Sequence, residues 1–317
     1  MLTEHRSCPN TNAIRSYDFT VAECSIRPDG VETKRAVCVN GQFPCPLLEA
    51  NYGDTIRVKV TNGLKDEGTS MHWHGFLQTG TNHMDGVPGV TQCAIAPGAS
   101  MVYTFRAELY GTAWYHTHYS AQYAGGAVGP IVIYGPANKV PNVDLGPVML
   151  SDWYRNGMIY LLMIFTYIAN MSMSRLHDKH PRSAQTHQRR RVHRTAHKQQ
   201  PDQRQDALPV RKDQAGLQDG GLQTFTFISG QNHLLRLVNT GSNAIQKFAI
   251  DGHSMQVISN DFMPIEPYNT SMVSLGVGQR ADVIVYGSGK PTDKFWMRSN
   301  IVGMCYFGRY MVDAVIC

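Results

Sequence analysis

Between residues 17 and 155 apolar and polar residues alternate with a period of two, and turn signals recur at intervals of about 8–12 residues. That combination restricts the region to short strands rather than helices. The segment Thr55-Ile-Arg-Val-Lys-Val-Thr61 shows it most clearly. Ile56, Val58 and Val60 share one face and Thr55, Arg57 and Lys59 the other. Met101-Val-Tyr-Thr-Phe-Arg106 repeats the pattern, and Gly129-Pro-Ile-Val-Ile-Tyr134 reads as a fully buried strand. Pro28-Asp-Gly30, Asn40-Gly41, Tyr52-Gly-Asp54 and Pro97-Gly98 supply the turns. Such spacing predicts a sandwich or small barrel.

The alternation stops after Arg155. Met158 to Ile168 is an apolar run of eleven residues, shorter than the roughly 20 needed to span a bilayer, so no membrane anchor is expected. From Ala169 to Thr224 there is no aromatic residue. From Arg175 to Asp213 eleven Lys and Arg face four Asp, so this stretch carries +7 of an overall +5 and the rest of the chain sums to −2. A segment this polar cannot bury enough apolar area to offset about 1–2 kcal/mol of chain entropy per residue. It reads as a disordered linker, and the five histidines in it (His177, His180, His187, His193, His197) have no element to fix them. Because the basicity sits there and not on a folded face, no nucleic-acid partner is expected.

Strand patterning returns at Thr224-Phe-Thr-Phe-Ile228. It continues through Leu234-Leu-Arg-Leu-Val-Asn239, Lys247-Phe-Ala-Ile-Asp-Gly252, Met255-Gln-Val-Ile-Ser259 and Asp282-Val-Ile-Val-Tyr-Gly287. The expected organisation is all-β: a first unit over 1–155, an irregular basic insert over 156–223, and a partial second unit over 224–317 with an irregular C-terminal tail.

Chemistry concentrates in Met71-His-Trp-His-Gly75 and Trp114-Tyr-His-Thr-His118. Residues i and i+2 of a strand face the same side, with Cα atoms about 6.5 Å apart. His72 and His74 therefore point together with Trp73 turned away, and His116 and His118 do the same. Forty-one residues separate the two pairs, enough for the chain to go out and return. Four convergent imidazoles without carboxylate or thiolate suit copper or zinc above iron. A cupin would place a carboxylate soon after its first His-x-His, and residues 75–84 contain no Asp or Glu.

Three segments then bring in a family. Ser70-Met-His-Trp-His-Gly-Phe76, Met84-Asp-Gly-Val-Pro-Gly-Val-Thr-Gln-Cys-Ala-Ile-Ala-Pro-Gly98 and Gly111-Thr-Ala-Trp-Tyr-His-Thr-His-Tyr-Ser-Ala-Gln-Tyr123 strongly resemble the first cupredoxin domain of multicopper oxidases, fungal laccases above all. Asn40-Gly-Gln-Phe-Pro44 and Ala50-Asn-Tyr-Gly-Asp-Thr55 match as well, and Gly278-Gln-Arg-Ala-Asp-Val283 resembles the family's second domain. The resemblance implies two Greek-key cupredoxin-like β-sandwiches. It makes His72 a type 2 copper ligand and His74, His116 and His118 type 3 ligands, half of a trinuclear site. It makes Asp85 a neighbouring acid that relays protons. The family reaction oxidises phenols or amines by one electron and reduces dioxygen to water. The family is mostly secreted, which implies an extracellular protein, although Met1 to Cys8 shows no apolar signal core.

Departures from the family pattern shape the expectation. No cysteine has histidine on both sides, so no type 1 copper is expected and the chain as written is read as truncated and inactive alone. The alternatives are a copper-binding module without catalysis or a non-functional fragment of a misassembled gene. His233 and His253 stand alone and read as loop or core residues. Cys45 stands where the family has glycine, and Gly125-Gly-Ala127 replaces an Asp-Gly-Leu pattern. Seven cysteines leave at least one thiol unpaired within the chain. Cys93 sits where the family bridges to its C-terminal part. Asn170 and Asn269 head N-x-S sequons.

Overall fold

The computed structural model describes residues 11–28, 30–136, 141–153, 223–290, 292–302 and 313–316. The apolar run and the basic insert, with Asn170 and the five clustered histidines, lie outside these residues.

The first unit contains β1 (Ile14–Ile26), β2 (Thr33–Val39), β3 (Leu48–Asn51), β4 (Thr55–Asn62), β5 (Met71–His74), β6 (Ser100–Arg106), β7 (Gly111–Thr117) and β8 (Val128–Tyr134). They form two four-stranded sheets, ordered β2-β1-β4-β6 and β3-β8-β7-β5. Consecutive strands repeatedly cross from one sheet to the other, so the two sheets share a single core. The alternation read in β4 has the predicted outcome: Ile56, Val58 and Val60 are fully buried while Arg57 and Lys59 face solvent. Burying each such side chain contributes about 1.5–3 kcal/mol. Across the core they meet Trp73, Ala113 and Tyr115 from the β5–β7 sheet.

The second unit contains β9 (Val143–Leu150), β10 (Asn232–Asn239), β11 (Ile245–Ile250), β12 (Met255–Asn260), β13 (Met263–Thr270), β14 (Val273–Leu275), β15 (Arg280–Tyr286), β16 (Phe295–Val302) and β17 (Asp313–Ile316). Its sheets run β13-β12-β15-β10-β9 and β14-β11-β16-β17, packed around Leu235, Leu237, Phe248, Val257 and Val283. All-β sandwich architecture therefore holds in both units.

Three details differ from the expectation drawn from sequence. β9 lies within the 1–155 segment but pairs in parallel with β10, so that strand belongs to the second sheet system. A parallel partner more than 80 residues away leaves no local pattern. Thr224 to Ile228 keeps alternating burial, with Phe225 fully buried, yet it forms no ladder. Its apolar residues anchor the entry to β10 without backbone pairing. The C-terminal segment reads as irregular in sequence, but β17 pairs antiparallel with β16.

A disulfide joins Cys24 of β1 to Cys38 of β2, beside Ile26, Ala36, Phe43 and Trp153. Cys45 is a buried free thiol and Cys93 an exposed one. Asn269 is exposed on the edge strand β13. Among the described residues no helix is long and apolar enough to cross a membrane.

Candidate metal centre

β5 and β7 are antiparallel neighbours whose register sets His72 opposite His116 and His74 opposite Trp114. The period of two sorts the side chains. Met71 and Trp73 from β5, with Ala113 and Tyr115 from β7, enter the first core. His72, His74, Trp114 and His116 share the opposite face. His118 follows the end of β7, where its backbone N–H donates to the Ser70 carbonyl at 3.2 Å.

All four predicted histidines come together. Ring centroids lie 5.7 Å apart for His72 and His74, 5.2 Å for His72 and His116, 5.4 Å for His72 and His118, and 5.7 Å for His116 and His118. Ligating nitrogens of His72, His74 and His116 lie within 4.8 Å of one another. Nitrogen–metal bonds are about 2 Å long, so these atoms reach a shared ion or ion pair. His116 is buried, His72 and His74 are half-buried, and His118 is exposed. Trp114 stacks beside His116 at 4.3 Å and His74 at 5.0 Å, and Tyr123 closes on His116 at 5.1 Å.

Hydrogen bonds select which nitrogen each ring can offer. His72 Nδ1 lies 2.7 Å from the Asp85 carbonyl, and His116 Nδ1 lies 3.0 Å from the Thr117 carbonyl. A carbonyl only accepts, so both Nδ1 atoms carry protons and both Nε2 lone pairs are free for a metal. The Asp85 carboxylate is 3.3 Å from the same His72 Nδ1. This residue sits just after the short 3₁₀ turn Asn82–Met84, and Gly86 follows it with a left-handed φ of +86°, which favours glycine.

Burial also keeps the rings neutral. It pushes His116 well below the ordinary histidine range, against the Thr117 carbonyl's opposing pull. His72 is lowered by burial, partly offset by the Asp85 carbonyl and carboxylate. His74 falls to about 3 through burial first and then the nearby Arg280 charge. A neutral imidazole is the form that binds metal. Imidazole nitrogen donors without a thiolate fit copper, with zinc the nearest rival.

The second unit reaches this site, which the sequence did not reveal. Gly278 and Arg280 come from the segment before and at the start of β15. A Cβ on Gly278 would fall 2.6 Å from His74 Cε1 and 2.8 Å from its Nε2. Arg280 Nε donates to the Thr112 carbonyl of β7 at 3.1 Å, and its Nη1 donates to the Gly278 carbonyl at 3.1 Å. The side chain of the same Thr112 donates through Oγ1 to Asp282 at 2.5 Å, and Arg236 reaches both Thr112 and Asp282. The Gly-Gln-Arg-Ala-Asp run was the available signal, but its partners are more than 160 residues away. His233 and His253 take no part: His233 is buried and accepts from the Ile228 N–H, and His253 packs on Phe295.

The profile of the family described as Multicopper oxidase matches residues 20–138, and a second of the same description matches 144–310. Laccase-2 of Botryotinia fuckeliana is 39% identical over 294 residues, which cover 92% of this chain and 46% of that protein. Dihydrogeodin oxidase of Aspergillus terreus is 40% identical over 294 residues, covering 90% of this chain and 44% of its own length. The crystal structure of the laccase from Botrytis aclada superposes with a TM-score of 0.75 at 34% identity, over 96% of this chain and 53% of that one. The chain spans about half the length of the curated relatives it matches.

Proposed function

Because this chain belongs to the multicopper oxidase family, we propose that His72, His74, His116 and His118 hold copper as half of an oxygen-reducing site of laccase type. In this reading His72 is the type 2 ligand and the other three are type 3 ligands. The observation that carries it is the convergence of four imidazoles, three of them held neutral by burial, on one face of the β5–β7 pair. Bound copper would supply the electron transfer that couples oxidation of a phenol or amine to reduction of dioxygen.

The chain's own groups have separate tasks. His72 and His116 are held by Nδ1–H bonds to carbonyls, so Nε2 of each is aimed and deprotonated. Trp114 and Tyr123 exclude water from one side of His116. Asp85 holds or passes a proton at its carboxylate, next to the His72 Nδ1 and at the edge of the site. These 317 residues contain four of the site's imidazoles and no His-Cys-His run, so no type 1 copper is assigned to them. That same fact favours one second reading, a copper-binding module without turnover. The Cys24–Cys38 disulfide supports an extracellular or otherwise oxidising location.

Copper content after loading and desalting tests the reading. The double variant His72→Ala, His116→Ala is expected to lose most bound copper; unchanged content would overturn the assignment. A strong blue thiolate-to-copper band from the purified chain would overturn the claim that it lacks a type 1 site. Oxygen uptake with a phenolic substrate separates the catalytic reading from the binding module.

A further inference from the structure

We propose that the turn ending in Gly278-Gln-Arg280, in the second unit, is a working part of the metal centre: it fixes the ring of His74 and decides which of its nitrogens faces the other histidines. The inference rests on the copper reading above.

His74 differs from His72 and His116. Those two rings are held by Nδ1–H bonds to carbonyls of the first unit, whereas no such bond is made by the His74 ring among the described residues. Contact holds it instead. The space a Cβ would need at Gly278 is taken by the His74 Cε1–Nε2 edge, at 2.6 and 2.8 Å, while Nδ1 is 3.7 Å from the same point. The Nε2 side is therefore closed by backbone, and Nδ1 is the nitrogen with room for a metal. Trp114 covers a face of the ring at 5.0 Å. Only glycine allows this approach, and Gly278 also has a left-handed φ of +81°.

Arg280 holds the turn in place. Its Nε bonds the Thr112 carbonyl of β7, its Nη1 bonds the Gly278 carbonyl, and the same Nη1 is 2.8 Å from Asp261. The guanidinium lies over the Phe262 ring at 5.2 Å, and Phe262 itself enters the first core. It also occupies the space beside Gly75, the residue after His74, where a Cβ would come within 2.5 Å of Nη2. One side chain thus ties the Gly278 backbone, β7 and the end of β5 into one rigid frame. The planar guanidinium presents Nε and Nη1 to the two carbonyls in a fixed fork, which the single nitrogen of an ammonium does not reproduce.

Gly278 and Arg280 are accordingly positioning residues: they touch a ligand, not the metal. The test is Co(II) titration of the full chain, followed by the visible ligand-field spectrum, with circular dichroism to monitor folding. Gly278→Ala and Arg280→Lys are each expected to weaken Co(II) binding about 10-fold or more, within the range for loss of groups that orient ligands, and to change the ligand-field bands. Arg280→Lys keeps the charge, and it keeps the test open if Gly278→Ala does not fold. Asp144→Asn, which weakens the Arg236 ion pair at the same junction without touching Arg280, Gly278 or His74, should lower the melting temperature and leave the Co(II) affinity within about 2-fold, as expected for independent sites. Adding either Gly278→Ala or Arg280→Lys to His74→Ala should have no further effect on affinity. If His74→Ala weakens binding but neither Gly278→Ala nor Arg280→Lys does, this inference fails alone. It fails in the same way if Asp144→Asn weakens binding as much as they do. If His74→Ala leaves binding unchanged, the copper reading falls and this inference falls with it.

Discussion

A Cβ on Gly86 would sit 1.8 Å from the carbonyl oxygen of Met71 and 2.9 Å from the His72 amide nitrogen. The loop after the 3₁₀ turn therefore rests directly on the backbone of β5, and that contact brings the Asp85 carbonyl to His72.

Gly86→Ala should separate the loop from the strand. A clash of this size with backbone, added to a positive φ, is expected to destabilise the chain by about 2–4 kcal/mol and to weaken copper binding through loss of the His72 bond. Asp85→Asn leaves the backbone carbonyl in place, so it should keep copper affinity within about 3-fold while removing the proton-carrying carboxylate. Urea unfolding and copper titration of both variants check the pair. Equal losses of affinity would show that the carbonyl is not what holds His72.

Stability of the metal-free chain should depend on the neutral histidines. His74 has a folded-state value of about 3 against an unfolded value near 6.5. Between those values the unfolded chain binds the extra proton and the folded chain does not. The slope of unfolding free energy with pH is therefore positive: the contribution is complete above about pH 6.5 and is lost as pH falls toward about 3. His74→Gln should flatten the curve most clearly between about pH 6.5 and 4, above the window in which Asp54, lowered to about 2, loses its own contribution. Denaturant midpoints across that range measure the difference; parallel curves would refute it.

Arg236 lies between two carboxylates at the junction of the units, 2.9 Å from Asp144 and 3.4 Å from Asp282. Burial pushes Asp282 upward, and the Arg236 charge opposes that push. Arg236→Met would leave a buried acid without its cation. The expected cost is about 3–5 kcal/mol, read as a lower thermal midpoint, with Asp282→Asn in the same background recovering part of it.

Cysteine labelling should divide the described thiols by burial. Cys93 is exposed and Cys45 buried, with burial pushing the Cys45 thiol up to about 12. Iodoacetamide at neutral pH should modify Cys93 in the folded chain and Cys45 only after denaturation. Peptide mass spectrometry reads both sites, and early labelling of Cys45 would show that its pocket opens in the native state. The same peptides should show Cys24 and Cys38 protected until a reductant is added.

Much of the first unit was legible because one face of each strand is buried and the other wet. That condition turns Ile56, Val58 and Val60 into a pattern, and it also places His72 with His74 on one side of β5. Convergence of the two pairs followed from the return of the chain at β7, whose register sets His116 against His72. Illegible features were those whose partner is distant. β9 finds β10 in parallel, Arg280 finds the Thr112 carbonyl, and Gly278 finds His74. The Thr224 to Ile228 segment misled in the opposite sense: alternation reports which side chains are buried, not whether the backbone has found a neighbour.

His118 lies at the outer rim of the group while the Gly278 turn closes the side of His74. Among the described residues the basin is walled at His74 by the second unit and more open at the exposed histidine. Further donor atoms have an approach there, and loosely held ions have an exit. Chelators should strip such a basin quickly, and traces of zinc or nickel acquired during purification should exchange for copper within a short dialysis.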